Sequence, residues 1–150
     1  MAVSVIEGTI EEVDEGRSPP LGKATIYKRV TWNPGTQSEY RRFIVDRSTN
    51  PYIEPGMTGR FYTCSNFDQR GIYGFRGADG ESHFAWPGGG TLLWKIALGT
   101  GILWSGLTLA TEGDIPILAL IIMAVGIVAL VVNARNRKAG EELFNADLDG

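Results

Sequence analysis

Two stretches almost free of charge decide what this chain can fold into. TLLWKIALGTGILWSGLTLA, residues 91–110, holds twenty residues with Lys95 as the sole charge. IPILALIIMAVGIVALVV, residues 115–132, holds eighteen residues with none. At a helical rise of about 1.5 Å per residue, each run approaches the roughly 30 Å hydrocarbon thickness of a bilayer. Two core helices of a soluble protein would need cover on every side, and a chain of 150 residues has too little left to provide it. The charged fraction of 21% averages over two regimes: residues 1–90 carry ten Lys/Arg and eleven Asp/Glu, whereas residues 91–132 carry only Lys95, Glu112 and Asp114. The expected class is therefore an α+β membrane protein. Its parts are a small β-barrel-like domain of the OB or SH3-like kind (1–86), a Pro/Gly hinge (87–90), a two-helix transmembrane hairpin (91–110 and 115–132) and a basic-then-acidic tail (133–150).

TEGD, residues 111–114, is short enough to force the two spans antiparallel. Asp114 is expected to cap the second helix and Pro116 to sit in its first turn, where a missing N–H costs little. Lys95, about one turn inside the first span, can snorkel its ammonium to the head groups. Arg135, Arg137 and Lys138 follow the second span directly, and TEGD has no basic residue, so the C-terminus is expected in the cytoplasm. An even number of spans puts the β domain there too. The opening MAVSVIEGTIEEVDEG lacks the basic and apolar regions of a signal peptide, and the expected location is a bacterial inner membrane. Lys95, Arg135, Arg137 and Lys138 are the expected lipid head-group contacts. Ala97, Gly101 and Ser105 recur every four residues on the first span; Ala119, Gly126 and Asn133 recur every seven on the second. Such strips let helix backbones approach, so one is expected to serve the hairpin and the other a partner helix.

The first ninety residues read as β structure. In KATIYKRVTW, residues 23–32, Ala24, Ile26, Val30 and Trp32 alternate with Thr25, Tyr27, Arg29 and Thr31, which predicts a half-buried strand with the first set on one face. Further strands are expected at 3–13, 40–46, 60–64, 69–75 and 82–86, separated by SPPLG, NPGTQ, the run 48–56 and ADGE. Six short strands in this length favour a small closed or partly closed barrel over a sandwich.

Signals for chemistry are sparse. The single Cys64 cannot form an intramolecular disulfide, and it reads as a strand residue rather than as a nucleophile paired with His83. QRGIYGFRG, residues 69–77, mixes basic and aromatic residues, but Ile72 displaces Tyr73 and Phe75 from the spacing of the RNP1 motif of RNA-binding sheets. The domain's net charge of −1, ten basic against eleven acidic residues, offers phosphate no general attraction, and no nucleic-acid partner is expected. Glu7, Glu11 and Glu15 would share a face of a regular first strand, yet their spacing suits solvated charges better than one metal ion. There is no P-loop, dinucleotide fingerprint, HExxH or GxSxG, and neither a catalytic residue, a metal site nor a cofactor is assigned. The acidic tail, with Leu143, Phe144 and Leu148 among its charges, reads most simply as disordered, or as a short helix formed on a partner. The functional expectation is a noncatalytic accessory or scaffold subunit of a larger membrane complex, docked through hairpin and β domain to other membrane subunits. The alternatives are a homo-oligomeric transport or channel protein and a membrane-anchored regulatory ligand-binding module.

Overall fold

The computed structural model describes residues 2–14, 16–18, 23–33, 38–65, 70–87 and 89–147. The turns SPPLG and NPGTQ fall largely outside these residues, as do Glu15 and Leu148. Six strands, β1 (Ala2–Asp14), β2 (Ala24–Asn33), β3 (Ser38–Asp46), β4 (Thr58–Ser65), β5 (Arg70–Gly77) and β6 (Ser82–Phe84), precede two helices, α1 (Gly89–Glu112) and α2 (Ile117–Ala146). A 3-10 turn, Arg47–Tyr52, joins β3 to β4. The chain divides into two compact units, Met1–Gly89 with Asn136–Gly150, and Gly90–Arg135.

In the first unit the strands form one sheet in the order β3-β2-β1-β4-β5-β6, with antiparallel neighbours. β3 also pairs with β5 in parallel, Phe43 with Arg70, Ile44 with Gly71 and Val45 with Ile72. The core gathers Ile10, Tyr27, Val30, Trp32, Phe43, Val45, Ile53, Phe61, Ile72 and Phe75. Aromatic rings dominate it, with Tyr27 stacked on Phe43 at 5.2 Å and Phe61 5.1 Å from Phe75. Such rings bury large apolar areas for few residues, which a domain of this size needs.

Alternation along the strands is broken in three places, and each break moves a residue from its expected face. Val30 and Trp32 are buried as expected, but in the first half of β2 Thr25 and Tyr27 point inward and Ile26 is 37% exposed. The change of face falls at the level of Lys28 and Arg42, where Arg42 has φ 51°, a left-handed conformation that turns the strand. A bulge between Ile10 and Glu12 destroys the regular strand that would have aligned Glu7 with Glu11; instead Glu7 pairs with Arg60 and Glu11 accepts from Asn33 Nδ2. A second irregularity leaves Tyr73 as an extra residue between Ile72, which faces Thr63, and Gly74, which faces Tyr62. Phe75 therefore enters the core while Tyr73 joins a separate cluster on the other side of the sheet.

Both helices are long and apolar enough to cross a membrane, with mean hydropathy 1.4 and 2.9 over the most apolar eighteen residues of Thr91–Glu112 and Ile117–Ala146. Gly113, with φ 73°, terminates α1: its N–H bonds Leu109 O at 3.2 Å, the left-handed cap that glycine supplies without steric cost. Asp114 does not cap α2 as expected. Its carboxylate accepts from the Ile115 N–H at 2.7 Å, ahead of the helix, and the Pro116 carbonyl accepts from Ala119 and Leu120. Proline thus stands just before the first helical residue. Within Gly90–Arg135 the two small-residue strips meet the facing helix: a Cβ on Gly101 would lie 2.8 Å from Met123, and one on Gly126 would lie 3.6 Å from Leu98. Ala119 is fully buried, and Ala97 and Ser105 are half-buried. Gly99 and Gly106, by contrast, face open space.

The tail differs most from expectation. α2 continues to Ala146. Isolated, a segment with Gly140 and Asn145 would be a poor helix; here burial of Leu143 and Phe144 against the sheet supplies the tertiary packing that propensity lacks.

Candidate functional site: a cradle for the C-terminal helix and the cleft beside it

β4 and β5 are apolar on both faces because they serve two clusters. Phe61, Ile72 and Phe75 face the core, while Tyr62, Cys64 and Tyr73 face the end of α2 and pack with Phe144. The Phe144 ring meets Tyr62 edge-on at 4.8 Å and Phe84 at 5.3 Å, and the Arg76 guanidinium lies 5.0 Å over it, a cation–π contact. Gly140 is what lets the helix lie this close, since a Cβ there would come within 2.8 Å of Trp86 and 3.1 Å of Tyr73.

Polar groups close the end of the helix. The last carbonyls of any α-helix lack intrahelical donors, and cations are favoured there. Arg76 supplies both needs, donating to Phe144 O at 3.0 Å and to Asp147 O. The Tyr62 hydroxyl donates to Asp147 Oδ2 at 2.6 Å, and Arg60 Nη1 lies 3.4 Å from the same oxygen. The Tyr62 bond, with Arg60 and Arg76 nearby, holds the Asp147 carboxyl below its ordinary value. Burial, then the bond to Asp147, pushes the Tyr62 phenol up to about 12.

These two groups predict the pH range of docking. Asp147 titrates lower when docked, so its contribution is present above its ordinary value of 3.8 and is lost as pH falls through the lowered one. Tyr62 titrates higher, so its contribution is full below 10.0 and lost as pH rises through about 12. Amide exchange in residues 140–147, corrected for intrinsic rates, is expected to stay flat between these limits and to rise outside them. An exchange step near neutral pH would contradict this assignment.

Beside the cradle lies an open cleft of about 640 Å³ lined by Glu7, Gly8, Thr9, Thr58, Gly59, Arg60, Arg76, Gly77 and Ala78. Its form follows from strand register. Glu7, Arg60 and Arg76 stand on one cross-strand row, Gly8, Gly59 and Gly77 on the next, and Thr9 with Thr58 on the third. The middle row cannot carry side chains freely: a Cβ on Gly59 would sit 2.2 Å from Arg76 O, and one on Gly77 2.5 Å from Asp79 Oδ1. Arg60 pairs with Glu7 at 3.4 Å, and the two threonine hydroxyls bond at 2.8 Å.

Other chemistry-bearing residues lie elsewhere in the chain. Cys64 is buried and its thiol is pushed up to about 12 by that burial, which disfavours the thiolate a nucleophile needs. His83 instead meets Ser48, with Nε2 3.0 Å from Oγ. Ser48 donates to Asp46 Oδ1 at 2.8 Å, so its oxygen must accept from His83 and Nε2 carries the proton. That polarity is opposite to general-base activation and ties the 3-10 turn to β6. Lys95, Arg135, Arg137 and Lys138 are all exposed, and Lys138 lies 3.8 Å from Glu142. Arg60, Tyr62, Arg76, Phe84, Trp86 and Asp147 were not singled out from sequence; the available signal was the spacing of Asn136, Gly140, Leu143 and Asp147 beyond the second apolar run. Comparison with family models, curated proteins and solved structures finds no match for this chain.

Proposed function

We propose that the chain is an integral membrane accessory or scaffold subunit, anchored by the α1–α2 hairpin and presenting its β unit to a larger membrane assembly. The observation that carries this reading is the outer surface of the helices. Leu92, Leu103, Leu107, Ile117 and Leu118 are 56–75% exposed, and only 11% of either apolar window is buried within the chain. An apolar surface of this extent calls for lipid or other subunits around it. Gly99 and Gly106, open on α1, offer a partner helix a close approach. Cytoplasmic termini at a bacterial inner membrane follow from Arg135, Arg137 and Lys138 after the second span. The shared compact unit of residues 1–89 and 136–150 favours both ends lying on one side. For the β unit we propose a small closed barrel of the OB kind, because the parallel β3–β5 pairing brings the sheet order back to its own edge strand.

The test is purification from the native membrane in mild detergent followed by native mass spectrometry. A complex of fixed stoichiometry with other membrane proteins is expected. A homo-oligomer alone would overturn the accessory role in favour of transport, to be assayed by reconstituted flux with and without Lys95→Ala. A second reading, a membrane-anchored ligand-binding module, is favoured by the cleft at Arg60 and Arg76.

A further inference from the structure

We propose that the cleft is an oxyanion site whose occupation competes with docking of the C-terminal helix onto the β unit. This deepens the ligand-binding reading and does not depend on the accessory role. The chain itself displays the ligand chemistry: Asp147, a carboxylate, is seated on Arg60 and on the Tyr62 hydroxyl. Arg60 and Arg76 both line the cleft and both hold the helix end, so the same two residues belong to both sites.

Charge decides which site prevails. With the helix docked, Glu7 and Asp147 balance Arg60 and Arg76, and the group is neutral. Withdrawal of Asp147 leaves one net positive charge. The Glu7 side chain is 73% exposed and free to turn into water, which leaves two. Arginine presents a planar fork that matches phosphate or carboxylate oxygens in pairs, and Thr9 and Thr58, bonded to each other, line the cleft two residues further along the strands.

The coupling follows by linkage. An oxyanion binds the undocked state better because Asp147 no longer competes for Arg60, and it must favour undocking by the same factor. Phosphate is the simplest ligand of this chemistry, from solution or from a lipid head group.

The experiment uses the full chain. In detergent, inorganic phosphate is titrated against chloride at matched ionic strength, with binding read by calorimetry and docking by hydrogen exchange of residues 140–147. Saturating phosphate is expected to speed exchange there by about fivefold or more, the lower end of ordinary coupling. Tyr62→Phe removes a bond to the tail from outside the cleft, and it should tighten phosphate binding by about fivefold on the same basis. Arg60→Gln should abolish phosphate binding. Parallel samples in phosphatidylcholine nanodiscs with and without phosphatidylglycerol separate the sources: faster exchange only with the anionic lipid assigns the site to a head group. That arm rests on membrane anchoring, whereas the phosphate arm does not. Exchange unmoved in both arms, or a phosphate affinity indifferent to Tyr62→Phe, overturns the proposal.

Discussion

Replacing Phe144 with Ala is expected to release the end of α2 from the β unit, raising amide exchange in residues 137–147 by about 100-fold. Phe144 is 6% exposed and contacts Tyr62, Phe84 and the Arg76 guanidinium. Truncating a buried phenylalanine costs about 3–5 kcal/mol, and the lower value already corresponds to about two orders of magnitude in an opening equilibrium. The effect should be local: the main core includes neither Phe144 nor its ring partners Tyr62 and Phe84. Near-ultraviolet circular dichroism in mild detergent should therefore retain most of the core aromatic signal while exchange in the tail accelerates. Unchanged tail exchange would mean that the polar contacts at Asp147 suffice to hold the helix end.

Gly59→Val is expected to destabilise the β unit as a whole, by about 4 kcal/mol or more, the range reached when a substitution forces backbone apart. A Cβ at this position would lie 2.2 Å from Arg76 O and 2.9 Å from the Phe75 ring, so the β4–β5 ladder has to open. The carbonyl is fixed by its strand and cannot turn aside as a flexible side chain could. Denaturant unfolding in detergent measures the loss. Gly106→Ala is the matched control, because a methyl group there meets open space and glycine is the poorer helix former by about 1 kcal/mol. It should be neutral or slightly stabilising. Equal losses from the two substitutions would show that the Gly59 clash is relieved by small backbone shifts.

Much of the candidate site was hidden from the sequence for a specific reason. Arg60 and Arg76 lie sixteen positions apart and were not singled out from sequence; their convergence depends on the β4–β5 register and on a helix arriving from the far end of the chain. Tyr73 and Phe75 read as neighbours on one face, and only the bulge at Tyr73 assigns them to different clusters. Ile26 was misplaced because strict alternation assumes a straight strand, whereas the backbone turns at Arg42. The hairpin was more legible, with one difference. The small-residue strips were expected to divide between the hairpin and a partner helix, whereas Gly101 and Gly126 both approach the facing helix, near Met123 and Leu98.

By itself the sequence determined the two apolar helices and the six-strand β unit before them. These are local properties: run length and alternation act over a few residues and need no knowledge of distant contacts. Only the tertiary structure decided that the tail is a helix, that β4 and β5 bury both faces, and that Arg60 and Arg76 stand between a helix end and an open cleft. Those outcomes depend on residues separated by as many as 85 positions, as Tyr62 and Asp147 are. Apolar burial against the completed sheet supplies an ordering energy that the isolated tail does not have, and no local pattern records it.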